Sequence, residues 1–134
     1  MALLFSHEFM SSQEDDAMDS LGVKRFISLP KELKGTWANI PPNAESSEFN
    51  KLLKSIMVWL SKTLDRGDFV LVQGDFGATV FMVQFCRNER FIPVYATTER
   101  HVLEKKVEDK VELVHTFQHV RYRRYPRFRS SDVV

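Results

Sequence analysis

The stretch Val72–Thr79, VQGDFGAT, joins the apolar run Phe69–Val72 to the apolar run Ala78–Cys86. A short continuous apolar run is typical of a strand buried on both faces, and the longer run after it predicts a helix packed on the sheet. We therefore expect a strand-to-helix turn here. The Asp-Phe-Gly triplet in this turn also occurs in protein kinases, but the chain lacks their glycine-rich loop with its lysine and their His-Arg-Asp loop.

Strands and helices are predicted to alternate on both sides of this turn. Before it we expect strand Leu3–Phe5, a helix over Ser11–Ser20 capped by Ser11 or Ser12, strand Lys24–Leu29, helix Lys31–Asn39 and a long helix beginning at Ser46 or Ser47. After it we expect helix Ala78–Cys86, strand Phe91–Tyr95 and a hairpin of residues 99–107 and 111–122 with its turn at Glu108-Asp109-Lys110. Gly22 and Gly67 are expected to end the first and the long helix, and Pro93 indicates an edge strand or a bulge.

This order of elements predicts an α/β fold, a three-layer Rossmann-like domain with a mostly parallel sheet and a C-terminal β-hairpin. Residues 1–125 are expected to form a single domain, and residues 126–134 a basic tail. Right-handed crossovers are expected between the parallel strands.

Composition limits the function classes. The chain has 134 residues, 43% of them hydrophobic, and a net charge of +1, so no global field draws it to nucleic acid or to a membrane. Cys86 is the single cysteine, which excludes an intramolecular disulfide and favours a reducing, cytoplasmic location. The opening MALLFSHEF is too short for a signal peptide, and no apolar run approaches the ~20 residues that span a bilayer.

Polar groups are expected to converge at one edge of the sheet. Open α/β sheets bind ligands beyond the carboxyl ends of their strands, where the strand order reverses, and an order 2-1-3-4 places that point between the first and third strands. Three segments would meet there and form a cationic, hydroxyl-lined pocket. The segments are Ser6 and His7; Gln73, Gly74, Asp75, Phe76, Gly77, Ala78 and Thr79; and Thr97 and Thr98 with Arg100 just beyond.

The turn itself suits an anion. Gly74 and Gly77 permit a positive φ and a close approach of the backbone, and the following helix presents unpaired N–H groups at its positive end. The G-x-G-x-x-G dinucleotide pattern and the Gly-Lys-Ser/Thr ending of a P-loop are both absent. Asp75 is either an N-cap of that helix or a group that contacts the ligand.

The other polar residues each allow a structural alternative. His7 is a general base or a histidine that satisfies backbone groups. Thr97 and Thr98 bind phosphate or favour the strand, and Arg100 binds phosphate or forms a surface ion pair. His101, His115 and His119 lack the ligand spacing of a zinc site, so neither metal nor cofactor is expected.

The end of the chain interleaves aromatic residues with arginines, which suits nucleic acid or a solvated edge strand protected by charge. The residues concerned are Arg121, Tyr122, Arg123, Arg124, Tyr125, Arg127, Phe128 and Arg129.

Five blocks together resemble one known family. These are LLFSH, LPKELKGTWANIPP, VLVQGDFGAT, PVYATTER and the closing F-x-H-V-R-Y-R-x-Y. In this order they are similar to the Csx-twenty family of small CRISPR-associated accessory proteins of type III systems. The resemblance covers Leu3 to about Tyr125.

The resemblance implies a homodimer of CARF-like domains that binds a cyclic oligoadenylate messenger, with cyclic tetra-adenylate expected. Such a ring nuclease cuts the messenger without metal, by attack of a ribose 2′-hydroxyl, and switches antiviral signalling off. Under this hypothesis the catalytic residues are His7 as base, Arg100 and Asp75. The ligand-binding residues are Ser6, Gln73, Gly74, Phe76, Gly77, Ala78, Thr79, Thr97 and Thr98.

Two alternatives stay open. One is a module that binds the cyclic oligoadenylate without cleaving it, and the other is an RNA-binding protein that uses the C-terminal Arg/Tyr segment. Neither a membrane nor DNA is an expected partner.

Overall fold

The structure, a computed structural model, describes residues 1–132. The strands are β1 (Ala2–Leu4), β2 (Ile27–Ser28), β3 (Phe69–Val72), β4 (Ile92–Val107) and β5 (Lys110–Arg124). The helices are α1 (Ser11–Leu21), α2 (Lys31–Ala38), α3 (Phe49–Leu52), α4 (Lys54–Thr63) and α5 (Phe76–Asn88), with 3-10 turns at Ser46–Glu48 and Ser130–Asp132. Residues 133 and 134 of the predicted tail lie outside the described residues.

The strands form one sheet in the order β2-β1-β3-β4-β5. Strands β1 to β4 run parallel, and β5 runs antiparallel to β4. The predicted α/β class, the mostly parallel sheet and the order 2-1-3-4 are therefore confirmed. The topology is compatible with a Rossmann-like fold, since the order reverses between β1 and β3.

Apolar clusters cover both faces of the sheet. Because successive side chains of a strand point to opposite faces, Leu4 and Leu3 join different clusters. The larger cluster packs the sheet against α2 to α5 and includes Leu4, Val70, Val72, Trp37, Phe49, Ile56, Leu60 and Met82. The smaller one packs the other face against α1 and includes Leu3, Leu71, Val94, Ala17 and Tyr122.

The long helix predicted from Ser46 to Gly67 is interrupted and shorter. The backbone breaks at Leu53 (φ −100°, ψ 4°), yet Leu53 is fully buried, so the apolar stripe continues across the break. The second half ends at Thr63, where Leu64 becomes extended and the Asp68 carboxylate accepts the N–H of Asp65 at 2.8 Å. Gly67, with φ 88°, lies in the turn that leads into β3, so the prediction that it ends the helix is wrong.

Two smaller predictions about the first half of the chain are also corrected. Met10, not Ser11 or Ser12, precedes α1, and the Gln13 side chain accepts the Met10 N–H at 2.8 Å; Gly22 ends the helix as predicted, with φ 69°. Strand β2 has only two residues because its partner β1 is itself short: Ala2 pairs with Ile27, and Leu3 with Ser28.

Strand β4 is continuous where two strands were predicted, and it lies between β3 and β5. Pro93 is therefore not on an edge strand. Its carbonyl accepts the Tyr125 N–H at 3.3 Å, so the side of Pro93 that lacks an N–H faces β5. The Tyr125 carbonyl, which a Pro93 N–H would otherwise meet, accepts a hydrogen bond from Arg87 Nη2 at 2.6 Å. A bulge does interrupt the β4–β5 ladder, but between Thr97 and Thr98.

The predicted hairpin is confirmed. Its turn has Glu108 (φ 50°) and Asp109 (φ 63°) in the left-handed region, as a two-residue type I′ turn requires, and Lys110 already belongs to β5. Residues 98–118 of the two strands are all exposed. This segment, which we call the hairpin arm, projects beyond the carboxyl ends of the parallel strands.

Helix α1 is attached to the base of the hairpin arm by polar contacts. His119 Nε2 lies 2.7 Å from Asp16 Oδ2, and the Tyr122 hydroxyl donates to the Gln13 carbonyl at 2.8 Å. A hydrogen bond from Ser20, with a further contribution from His119, lowers the pKa of Asp16 below its ordinary value of 3.8.

We predict that Asp16→Asn lowers the free energy of unfolding at neutral pH by about 0.5 kcal/mol, since water screens this partly exposed carboxylate. A lowered pKa in the folded state stabilises the protein above the ordinary pKa, and that stabilisation is lost as the pH falls through the folded value. In urea titrations the difference from wild type should therefore shrink from pH 5 to below pH 3. Asp15→Asn, on the exposed side of α1, is the control; an equal loss in both variants would contradict the prediction.

Candidate functional site

A cleft of about 870 Å³ opens beyond the carboxyl ends of β1 and β3. The sequence-predicted residues that line it are Ser6, His7, Gln73, Gly74, Asp75, Phe76 and Thr79. The lining residues that were not predicted are Phe5, Trp37, Ala38, Ile40, Val80, Tyr95 and Tyr125. The segments after β1 and β3 thus converge as expected, and aromatic side chains complete the walls.

Gln73 fixes the floor of the cleft. Its backbone N–H donates to the Leu4 carbonyl at 3.1 Å, which extends the parallel ladder by one residue. Its side-chain Oε1 accepts the Ala96 N–H at 2.8 Å, and its carbonyl accepts Trp37 Nε1 at 2.9 Å. Gln73 therefore connects β1, β4 and α2 at the point where β3 ends.

Gly74 and Gly77 are needed for close packing. Neither has a positive φ, so the expectation that they supply a left-handed backbone is wrong. A Cβ at Gly74 would lie 2.7 Å from Trp37 Nε1, and one at Gly77 would lie 2.9 Å from Phe49 Cε2. The two glycines let the turn lie directly on α2 and α3, which is the close approach that the sequence also predicted.

Asp75 is the N-cap of α5. Its Oδ2 accepts the Ala78 N–H at 3.0 Å, and its carbonyl accepts the Thr79 N–H at 2.8 Å. The amides of Phe76 and Gly77 remain in the first turn, where intrahelical partners do not exist. Phe76 lines the cleft and Gly77 does not, so an anion in the cleft would meet the Phe76 amide and the positive end of a 13-residue helix.

The two walls beside the turn carry a histidine and a hydroxyl. His7 is exposed, and its ring meets the Phe5 ring edge-on with the centroids 5.4 Å apart. Thr79 Oγ1 is buried and finds no hydrogen-bond partner within residues 1–132. An unpaired buried hydroxyl is unfavourable, so a polar ligand atom beside Thr79 would stabilise it. Ala78 is fully buried beneath the turn and does not line the cleft.

A pair of tyrosines forms the β4 side of the cleft. The Tyr95 and Tyr125 rings lie 4.8 Å apart, and the Tyr125 hydroxyl donates to the Val72 carbonyl. Burial raises the pKa of Tyr125 to about 12, which keeps the hydroxyl protonated as a donor. Arg123 Nη1 lies 3.4 Å from the Tyr95 hydroxyl, and the Arg123 guanidinium stands 6.0 Å from the centre of the Tyr95 ring.

The third predicted segment does not line the cleft. Strand β4 continues to Val107, so Thr98 and Arg100 lie on the hairpin arm and not at a strand end. At about 3.3 Å per residue, Arg100 is roughly 16 Å along β4 from Tyr95. The Thr97 hydroxyl is occupied by the Arg121 backbone at 3.1 Å, and Arg100 Nη2 lies 3.0 Å from His115 Nδ1.

The cleft is aromatic more than cationic. No lysine or arginine is among its lining residues in the described chain, and Arg123 is a cation at its rim. No group of three or more His, Cys, Asp or Glu side chains within residues 1–132 is placed to hold a metal ion. Within the same residues, none of the helices has the length and apolar character that crossing a bilayer requires.

Trp37, Tyr95 and Tyr125 are the residues that the sequence did not point to as site residues. Each is distant from the turn along the chain, so only the fold brings them to it. A partial signal exists in Gly74: a glycine without a positive φ implies a bulky neighbour, and Trp37 is one of only two tryptophans in the chain.

Comparison with known proteins identifies one family. A family model described as "Uncharacterized protein MJ1673 family" matches residues 1–123. The chain belongs to the MJ1673 family. It is 42% identical over 125 residues to the protein "Uncharacterized protein MJ1673" of Methanocaldococcus jannaschii, an alignment that covers 93% of this chain and 95% of that protein. No solved structure matches significantly.

We predict that Gly74→Ala destabilises the protein by about 1–3 kcal/mol, because the added methyl group overpacks the contact with Trp37. Gly35→Ala is the matched control: it lies within α2 with open space around it, so the change should stabilise the helix by about 0.5–1 kcal/mol. Urea unfolding, followed by tryptophan fluorescence, measures both. Equal stability of Gly74→Ala and wild type would show that the turn tolerates displacement from Trp37.

Proposed function

We propose that this protein is a CARF-like ring nuclease that binds a cyclic oligoadenylate in the cleft and cleaves it without metal. The observation that carries the proposal is the convergence of His7, Ser6, Thr79 and the first turn of α5 with an aromatic lining, in a cleft of about 870 Å³ at the switch point of the sheet. The resemblance of five sequence blocks to the Csx-twenty family supports the choice of ligand. The proposed location of the protein is the cytoplasm, and its proposed role is in type III CRISPR signalling.

The cleft has a surface for each part of such a ligand. Adenines stack on aromatic side chains, at about 1–3 kcal/mol per base. Phe76 and Tyr95 both line the cleft, and Phe76 is 92% exposed. Phosphates would meet the amide of Phe76 in the first turn of α5, and the unpaired hydroxyl of Thr79 lies in the same wall. A cyclic tetranucleotide can have twofold symmetry, which suits two copies of the cleft in a homodimer.

Cleavage uses a nucleophile that belongs to the ligand. The ribose 2′-oxygen attacks the adjacent phosphorus, the bond from phosphorus to the 5′-oxygen breaks, and the products are a 2′,3′-cyclic phosphate and a 5′-hydroxyl. His7 accepts the 2′ proton, and a proton from solvent or from the imidazolium goes to the leaving 5′-oxygen. The protein contributes by holding the attacking oxygen in line with the bond that breaks.

Negative charge on the phosphorane must be met by the groups that the cleft contains. The amide of Phe76 is held in position by the Asp75 cap of the same helix turn, so it needs little reorganisation. Asp75 is thus a positioning residue in this scheme. Arg123, at the rim, takes the role for which Arg100 was the sequence-based choice, since Arg100 lies on the hairpin arm.

We predict that the protein converts labelled cyclic tetra-adenylate to linear products in the presence of EDTA. His7→Ala should lower the cleavage rate by about 10²–10⁴-fold, because the proton acceptor is lost. His101→Ala, an exposed histidine on the hairpin arm, is the matched control and should retain the rate. Product analysis by mass spectrometry should show the 2′,3′-cyclic phosphate.

The same experiment separates the binding module from the nuclease. An intact ring with a shifted band on a native gel indicates a module that sequesters the messenger. In that case Phe76→Ala should weaken the shift while His7→Ala leaves it unchanged. If the protein neither binds nor cleaves the ring, the proposal is overturned.

A cluster of arginines favours RNA as a second candidate ligand. A cavity of about 470 Å³ is lined by Arg87, Arg124, Arg127 and Arg129, with Phe91 and Tyr125 among its apolar residues. Within residues 1–132 the ion pairs are those of His101 with Glu99 and of His119 with Asp16, so no carboxylate neutralises these arginines. Unneutralised guanidinium groups beside aromatic rings suit a phosphate backbone with stacked bases.

We predict that the double variant Arg127→Ala/Arg129→Ala weakens binding of linear RNA and lowers the slope of log affinity against log salt by about 2, one per lost phosphate contact. Arg66→Ala, in the turn before β3, also removes an exposed arginine and is the control. Fluorescence anisotropy at several salt concentrations measures the slope. RNA binding that both variants leave unchanged would exclude this surface.

A further inference from the structure

The hairpin arm exposes an unusual amount of apolar surface. Two-stranded ribbons are marginally stable in water unless something packs on them. In this arm the apolar side chains of both strands are open to solvent, which indicates an interface. The exposed fractions are 51% for Val102, 60% for Leu103, 62% for Val111, 59% for Leu113 and 69% for Phe117.

Strand β4 also has a free backbone edge along the arm. Its pairing with β3 ends at Val94, and the Gln73 side chain takes the next N–H on that side, at Ala96. The Ile92 N–H also points toward β3, so even-numbered residues of β4 face this side. Within the described residues no strand pairs with β4 on this side above Gln73, so the open N–H and C=O groups are those of Thr98, Arg100, Val102, Glu104 and Lys106.

We infer that a second copy of this chain pairs with the free edge of β4, antiparallel, about a twofold axis at Val102. Val102 then lies opposite the partner's Val102, and the two residues exchange N–H···O bonds. Arg100 lies opposite the partner's Glu104, and Glu99 opposite the partner's Lys105. Each pair occurs twice by symmetry, and opposite charges that face each other across strands are stabilising.

Charge and edge length select this register independently. Centring on Leu103 would place Arg100 opposite the partner's Lys106, and centring on Arg100, Glu104 or Lys105 would place a charge opposite itself. Centring on His101 forms no charge pair. The free edge runs from Thr98 to Lys106, and its midpoint is also Val102. On β5, pairing about Val111 places Lys110 opposite Glu112 but leaves almost no overlap.

The arrangement has a consequence at the cleft. Beyond Gln73, the partner's β4 would take the position in the sheet that β3 occupies below it. The partner's β5 would likewise lie beyond the end of β1. Val107 of the partner subunit would face Thr97, so the partner's turn and the partner's Lys110 would lie over the mouth of the cleft. This part of the inference rests on the proposed function, because it supplies a cationic group for a bound phosphate in addition to Arg123.

Charge reversal tests the register. Sedimentation velocity at micromolar concentration should give a particle of twice the 15.7 kDa chain mass. Arg100→Glu and Glu104→Arg should each raise the dissociation constant of the dimer about tenfold or more, since each places like charges opposite one another. The double variant Arg100→Glu/Glu104→Arg should restore the wild-type dissociation constant. Within one chain these two residues are a full four positions apart on a strand, so only an intermolecular pair explains the rescue.

Crosslinking tests the axis. Val102→Cys should be joined to its own copy by a short bismaleimide, because residues opposite each other in such a pair are about 5.5 Å apart at Cα. Lys106→Cys, on the same edge, would be about 26 Å from its copy at 3.3 Å per residue and should not react. The native Cys86 is buried, and burial raises the pKa of its thiol to about 12, so it should not contribute.

The outcomes separate this inference from the proposed function. A monomer at all concentrations, a dimer that the double reversal fails to restore, or equal crosslinking of Val102→Cys and Lys106→Cys would each overturn the arm-to-arm dimer. A monomer that still cleaves the ring would leave the nuclease proposal standing. A dimer with the expected rescue that neither binds nor cleaves the ring would overturn the nuclease and support the arm.

Discussion

The contact of Trp37 with the Gln73–Gly74 turn is the constraint on which both the cleft and the arm depend. The indole donates to the Gln73 carbonyl at 2.9 Å and lies where a Cβ of residue 74 would be. This fixes the backbone that leads into α5 and so aims its first turn at the cleft. It also holds Gln73 where its side chain accepts the Ala96 N–H. Within the described residues, that hydrogen bond is the last one between β4 and the segment that follows β3.

The end of β3 divides β4 into two parts with different surroundings. Below Ala96, β4 is an interior strand that contributes Val94 to the core. Above it, the strand continues with one edge paired to β5 and the other open. A sheet edge of this kind invites another strand. The same residue, Gln73, therefore closes the floor of the candidate cleft and sets the lower limit of the proposed dimer contact.

The chemistry of the cleft follows from its lining. Aromatic walls and few charges favour stacking of bases over recognition of phosphate by salt bridges. Phosphate charge would be met by the Phe76 amide, which the fold has already oriented, by Thr79, and by cations at the rim such as Arg123. Preorganised dipoles can contribute more than flexible surface charges, because they need no rearrangement when a ligand binds.

Local patterns were enough to predict much of this protein. The apolar runs at Leu3–Phe5 and Phe69–Val72 indicate buried strands, and the turn that follows the second was expected to carry ligand groups with Ser6 and His7. The buried strands and the meeting of these two segments at one edge of the sheet are confirmed, because burial on both faces and the parallel direction of the strands leave a direct mark in sequence; the ligand stays a prediction. Asp75 as an N-cap and Glu108-Asp109 as a hairpin turn also follow from neighbouring residues alone.

Only the tertiary structure decided which distant residues complete the site and where β4 ends. Trp37, Tyr95 and Tyr125 reach the cleft through packing between elements far apart in the chain, and no periodicity encodes that. Thr98 and Arg100 were expected at a strand end because polar residues follow an apolar run there. That signal reports the loss of burial and not the end of the strand: β4 leaves the core at this point but remains paired with β5, so its residues become polar while its backbone stays extended.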